Sequence, residues 1–332
     1  MNKETVGATP RDLRSSVTAD PDALKHKLRV SEEVIRALLF FCGFVSIFTT
    51  IGIVASLGFE SFNLFANEQC VETQGEVICE TVAVQDLFTS TEWLPRSLKF
   101  GMWPLILSTL ITSSIAMLVA VPLGLSAAIF LSEYASRRVR NILKPILEVL
   151  AGIPTVVYGY FALTFMTPVL RDLFGVEVVR QFNMASAGLV MGIMILPLVA
   201  SMSEDALTAV PRSLREGSAG LGATKLETTT RVVLPAALSG VIAALIIAIS
   251  RAVGETMIVA IAAGAGPQFT IVPFEFAETM TGHIARISGG DISYNSVDYN
   301  SLFVIGLLLF FITLALNILG RFLVRRFREE YD

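Results

Sequence analysis

The sequence predicts an all-α, polytopic membrane protein with six transmembrane helices, and three observations carry that expectation. Hydrophobic residues make up 53% of the chain and charged residues only 16%, against about 25% charged in an ordinary soluble domain. Six apolar runs stand at 33–57, 102–131, 142–170, 184–203, 236–263 and 301–324; a helix needs about 20 residues to cross a bilayer. Basic residues collect in every second connector. Water-soluble classes are excluded on these grounds.

Residues 1–30 mix charges with Pro10, Pro21, serine and threonine, a composition expected to stay disordered close to the membrane. A cleavable signal peptide is not expected, because the first apolar run is long and follows this polar tail. Cys42 lies within that run and reads as a small packing residue. Residues 31–99 therefore comprise one span and a connector, about 58–98, rich in Glu60, Glu68, Glu72, Glu76, Glu80, Asp86 and Glu92. Cys70 and Cys79 flank a turn-like Gln74-Gly75. Two strands closing a hairpin there would bring the cysteines to disulfide distance in an oxidising compartment; the alternative is two free thiols in a mobile loop. His26 and His283 are the only histidines and fall on opposite sides of the membrane, so no metal site is expected.

The remaining spans lie in residues 100–325, with a short tail at 326–332. Pro104, Pro122, Pro145, Pro154, Pro168 and Pro197 offer places for the longer runs to kink. Arg137, Arg138, Arg140 and Lys144 stand between the second and third runs, Arg212, Arg215, Lys225 and Arg231 between the fourth and fifth, and Arg321, Arg325, Arg326 and Arg328 at the end of the chain. The positive-inside rule puts these segments and both termini in the cytoplasm, with the acidic connector outside. The net charge of −4 says little about partners when the signs are separated by side. Nothing suggests nucleic-acid binding.

The fourth-to-fifth connector, 204–235, is unusually elaborate. Pro211 opens a helical segment in which Ser213 and Glu216 have capping-box spacing. Gly217, Gly220 and Gly222 are expected to break the helix. Thr224 and Glu227 repeat the capping spacing, so a second helix restarts toward Val232-Val233-Leu234-Pro235. By shape alone this fits an amphipathic connector on the membrane surface as well as a docking element. Gly217–Thr224, GSAGLGAT, also approaches the phosphate-loop pattern, but Ala223 stands at the lysine position and no buried strand precedes it; ATP binding by this chain is not expected.

The fifth run carries Arg251 and Glu255 in apolar surroundings. Arg251 lies 16 residues after Pro235, roughly 24 Å along a helix, deep in a core about 30 Å thick. A charge there costs at least about 2.5 kcal/mol and needs a partner or a water-filled cavity. Spacing of four residues would place both groups on one helix face. One reading makes Arg251 an anion contact, since a guanidinium offers two parallel hydrogen bonds to an oxyanion. The other is an ion pair that locks helices together. The first is favoured, because a buried pair is a costly route to stability. Pro154 and Gly159 are read chiefly as a kink in the third span, with Tyr158 packed near an interface; a helix break lining a cavity is the alternative.

These motifs together carry a resemblance. Glu216, Gly222, Val232, Leu234 and Pro235 match the Glu, Gly, apolar, Leu and Pro of the cytoplasmic coupling loop of ABC-importer permeases, with Gly217 replacing the usual Ala. Arg251–Met257 (RAVGETM) and Ala151–Gly159 (AGIPTVVYG) resemble segments of phosphate-importer permeases of the PstC type. The resemblance spans about residues 100–325 and implies a type I ABC-importer permease fold. It further implies a sister permease of the PstA type, two cytoplasmic ATPase subunits holding ATP and magnesium, and a periplasmic phosphate-binding protein. This chain would need no cofactor of its own and would not be an enzyme. The implied pathway residues are Arg251, Glu255 and Thr256; the implied coupling residues are Glu216, Gly220, Gly222, Leu234 and Pro235. Permeation of phosphonate, sulfate or molybdate is the nearest rival, and an ion-coupled secondary transporter or channel is the rival of another class. No catalytic constellation for an intramembrane enzyme is evident in the spans.

Overall fold

Long apolar runs with no water to hydrogen-bond their backbone must close their bonds internally, and in the computed structural model they do so as helices. The structure describes residues 30–73, 76–290, 292–293 and 296–326. The amino-terminal tail with His26, the Gln74-Gly75 turn and most of the carboxy-terminal tail lie outside the described residues. The chain divides into two units, Met1–Val54 and Ala55–Asp332.

In the first unit the described part is helix, the opening stretch of α1 (Val30–Ala66). Phe40, Phe41, Phe44 and Phe48 are exposed there, as suits a lipid-facing helix. Thr49 and Thr50 return their hydroxyls to the carbonyls of Val45 and Ser46.

In the second unit, α1 ends at Ala66 and a small β-structure follows. Strands β1 (Gln69–Thr73) and β2 (Glu76–Glu80) pair antiparallel with Cys70 opposite Cys79, and the two cysteines form a disulfide. This is the bridge that the hairpin reading favoured. A short α2 (Asp86–Thr89) precedes β3 (Trp93–Leu94) and β4 (Lys99–Phe100). Trp93, Phe100, Met102, Leu64 and Leu87 form a buried cluster that seats this cap on the helices.

Then come α3 (Trp103–Ile129), prolonged by a π turn to Tyr134, and α4 (Arg137–Ala151). The helices α5 (Thr155–Phe161) and α6 (Thr167–Phe174) are joined by a second π turn, and α7 spans Met184–Thr208. Helices α8 (Arg212–Gly220) and α9 (Lys225–Thr228) form the connector. A third π turn and α10 (Leu234–Ala236) lead into α11 (Leu238–Val253). The chain closes with α12 (Met257–Ala262), α13 (Met280–Ser288) and α14 (Val297–Arg326).

Among the described residues, four helices are long and apolar enough to cross a membrane, and the number reaches six if two bent pairs each count as one span. The bends are 86° between α4 and α5–α6, and 71° between α9–α10 and α11. Of the six prolines proposed as kinks, only Pro154 marks one of these bends. Pro104 opens α3, whereas Pro122, Pro145 and Pro197 lie inside helices that continue.

The central helix is α7, which is the most buried of the candidate spans. Its Gly188 and Gly192 form a G-x-x-x-G face that lets α3 approach in parallel. A Cβ on Gly192 would lie 2.7 Å from the Ala116 carbonyl oxygen and 2.8 Å from Val119 Cβ. Further along, Gly124 of α3 returns the favour, with Val199 Cβ at 2.8 Å from its notional Cβ. Ala116, Ala120, Val190, Met191 and Ile195 complete this seam. Close contact replaces the hydrophobic drive that is missing between helices in lipid.

Gly192→Leu should push α3 and α7 apart and cost about 1–3 kcal/mol or more. A thermal unfolding scan of the detergent-purified protein checks it, with an exposed Gly217→Ala variant expected to shift the midpoint little.

Candidate functional site

Arg251 sits in the last turn of α11, which stops at Val253 with Gly254 at its end. The Gly254 amide donates to Ser250 and that of Glu255 to Ala252. The chain then turns and re-enters helix at Met257. Glu255 is only 8% exposed, and its Oε1 accepts from the amides of Met257 (3.1 Å) and Ile258 (3.4 Å). The carboxylate thus caps α12, where the helix dipole favours a negative charge. This corrects the expected Arg251–Glu255 pair. The four-residue spacing aligns side chains only on an unbroken helix, and Gly254 ends that helix between them.

Arg251 is consequently left exposed, and among the described residues it has no hydrogen bond or ion pair. Ile247 before the break and Gly254 and Met257 at and after it are exposed too, while Glu255 is buried, so Arg251 is the exposed charge of the described 247–257 stretch. Thr256, half-buried, donates from Oγ1 to the Gly254 carbonyl at 3.4 Å. Thr281 of α13 donates to the Glu255 carbonyl at 2.5 Å, which fixes the break from the far side.

Pro154 begins the α5 turn after the 86° bend. Tyr158 is buried and its hydroxyl donates back across the bend to the Leu150 carbonyl at 2.9 Å. Gly159 touches α12: a Cβ there would lie 2.9 Å from Ile261 Cδ1 and 3.2 Å from the Met257 carbonyl oxygen. The three residues expected at a helix break are therefore gathered at one, against the helix that Glu255 caps.

The connector residues form a second site at the other end of α11. Ser213 and Glu216 do not make a capping box, since α8 begins at Pro211 without a side-chain cap. Thr224 and Glu227 do make one. Gly217 and Gly220 lie within α8, and the turn is made at Gly222, whose φ of +84° suits glycine. Beside it Leu221 is 91% exposed and Leu226 63%, two large apolar side chains at the tip of a polar loop. The GSAGLGAT segment is thus helix and turn. Arg215 fastens the loop to the bundle: it pairs with Glu133 at 3.0 Å and donates to the carbonyls of Leu207 and Val210 at the end of α7. Leu234 and Pro235 lie in α10, where the loop rejoins α11.

A family model described as "binding-protein-dependent transport system inner membrane component" matches residues 120–329. The chain belongs to that family. It is 30% identical to a probable ABC transporter permease protein, YqgH, of Bacillus subtilis, over 98% of both chains. It is 34% identical to the phosphate transport system permease protein PstC of Mesorhizobium japonicum, over 72% of this chain and 77% of that one. A bacterial alginate ABC transporter chain superposes with a TM-score of 0.61 at 14% identity, covering 92% of this chain and all of that one. The fold is that of a type I ABC-importer permease, and the protein is a multi-pass inner-membrane transport component.

Sequence reading missed two clusters of this permease. At the loop end, Glu204 of α7 is fully buried and pairs with Arg140 and Lys144 of α4, the latter at 2.8 Å; Lys144 also meets Asp205 at 2.9 Å. At the hairpin end, Glu278 is 2% exposed and takes two hydrogen bonds from Arg286, from Nε at 2.5 Å and Nη2 at 3.1 Å. The Trp93 indole donates to His283 Nε2 at 3.1 Å, so Nδ1 carries the proton and donates to Glu278 Oε2 at 3.0 Å. The Gly266 amide adds a further bond to Glu278. Burial pushes the Glu278 carboxyl up, but His283 and Arg286 outweigh it and hold it at about 2. The signal for both clusters was weak, because partners lie 60 or more residues apart in several pairs.

A carboxyl depressed in the folded state stabilises the fold above its unfolded value near 4.5 and loses that contribution as pH falls through about 2. Glu278→Gln should therefore cost about 2 kcal/mol, steadily from pH 7 to 5, with the gap to wild type closing below pH 4.5. Thermal unfolding of both proteins across that pH range is the check.

Proposed function

We propose that this chain is a permease subunit of an ATP-driven importer that carries inorganic phosphate into the cell. The carrying observation is Arg251: an exposed guanidinium, without a protein partner among the described residues, in the last turn of the otherwise apolar helix α11. Facing lipid, such a charge would be expensive. Facing a polar pathway between two permease subunits, it offers a forked pair of donors to a tetrahedral oxyanion. The PstC relative and its named phosphate role favour phosphate over phosphonate, sulfate or molybdate. Glu255 and Thr256 act at one remove, by shaping the break that presents Arg251.

The remainder of the machine is proposed on the same footing. A sister permease of the PstA type would complete the pathway, and a periplasmic binding protein would deliver the anion. Two ATPase subunits, holding ATP and magnesium, would receive the loop at Leu221 and Leu226, with Glu216 and the Gly220–Gly222 turn setting its shape. The positive-inside rule, applied to the basic residues around α4, α8 and the end of α14, supports a cytoplasmic position for that side and both termini. An ion-coupled transporter built on an Arg251–Glu255 pair is disfavoured, because Glu255 is committed to capping α12.

In cells lacking this chain, wild type should restore ATP-dependent uptake of labelled phosphate and leave sulfate uptake unchanged. Arg251→Gln, at equal membrane level, should lower phosphate uptake at least about 100-fold, as expected for losing a charged contact of about 3 kcal/mol. Normal uptake by that variant would remove the pathway role. Separately, deleting Gly220–Gly222 should leave the protein in the membrane but abolish substrate-stimulated ATP hydrolysis. Full coupling in the deletion variant would overturn the docking role of the loop.

A further inference from the structure

Helix α4 departs by 86° from the span that follows it, an angle that puts it near the membrane plane when that span runs along the membrane normal. At about 100° per residue, its surface divides into three strips. Val139, Ile142, Leu143, Ile146, Val149 and Leu150 share one arc, and all six are exposed. Arg137, Asn141 and Glu148 lie across the helix from them, Arg138 borders the apolar arc beside Val149, and all four are exposed as well. Between the two, Arg140 and Lys144 turn toward α7 and its buried Glu204. An apolar arc opposite an ionised one, with a side tied to the bundle, is the division a membrane surface imposes on a helix lying in it.

The charges say which kind of surface. Arg140 and Lys144 are engaged by Glu204 and Asp205. Arg137 and Arg138 occupy the first turn of α4, behind its Ser136 cap, and among the described residues neither has an ion pair. Cations in a first turn oppose the helix dipole, so their position gains nothing for the helix itself. It suits anions outside the protein, at the height where an apolar strip meets headgroups. Arginine stems reach such a height while their own carbons lie along apolar surface.

From these features we infer that α4 is an interfacial helix that docks on anionic phospholipid, with Val139–Leu150 sunk among acyl chains and Arg137 and Arg138 on headgroup phosphates. Because Arg140 and Lys144 bind Glu204, the lipid-held helix is also a brace on the loop end of α7. The inference is independent of the transported substrate and is read by fluorescence, so a failed phosphate assignment would leave it standing.

The test uses the full chain in its assembled transporter. A nitrobenzoxadiazole label goes on Val149→Cys or Ile146→Cys in a Cys42→Ser background, in vesicles of phosphatidylcholine alone or mixed with phosphatidylglycerol. The expected result is blue-shifted emission quenched by brominated acyl chains and protected from iodide. A label on Asn141→Cys should behave in the opposite way. Arg137→Gln with Arg138→Gln should reduce the extra quenching brought by phosphatidylglycerol at least about threefold and leave the phosphatidylcholine value unchanged. Iodide access at position 149 would overturn the inference. Protection from both quenchers would overturn it too, by showing that another subunit covers the strip. Unchanged phosphatidylglycerol dependence in the double variant would overturn the headgroup assignment.

Discussion

Within a hydrocarbon core, a backbone amide or carbonyl that leaves its helix has no water to turn to. Several interruptions in this permease are answered by a particular side chain. At the α11–α12 break Glu255 takes the amides of Met257 and Ile258, and Thr281 takes the Glu255 carbonyl. At the α4–α5 bend Tyr158 takes the Leu150 carbonyl. At the end of α7 Arg215 takes the carbonyls of Leu207 and Val210. At such interruptions a polar group can enter the membrane without stranding another.

That constraint also explains why Arg251 is available. Had α11 continued, Glu255 would have stacked one turn beyond the guanidinium and neutralised it. The break diverts the carboxylate to a helix end, where its charge is compensated by a dipole and two amides. One residue without a side chain, Gly254, separates a paired arginine from one left exposed.

Much of this was legible in the chain itself. Long apolar runs announced the spans, the Cys70–Cys79 spacing anticipated the hairpin, and Thr224 with Glu227 marked the start of α9. Periodicity failed where a run of apolar residues conceals a change of direction. Residues 142–170 read as one span because hydropathy counts side chains and not angles, yet Gly152–Pro154 turns the chain through 86°. Ser213 and Glu216 had the capping spacing, but Pro211 already occupies the start of α8. The buried clusters around Glu204 and Glu278 escaped altogether, since lone ionised residues acquire meaning only when folding supplies their partners. The G-x-x-x-G of α7 was present as a pattern, but it needed α3 beside it to become a contact.

The parallel seam of α3 and α7 has a mechanical consequence. Helix α7 is about 37 Å long at the usual rise per residue, and glycine-mediated contact along it leaves little room for sliding or shear against α3. The two helices therefore behave as one stiff rod. Arg215 clamps the connector to that rod at one end, and Ser108 and Thr109 bond the Glu278 and Met280 backbone at the other. A displacement of the connector would therefore be passed to α3 and α7 together. The bends at Gly152–Pro154 and Ala237 lie outside this seam, so they set the directions in which neighbouring helices leave it.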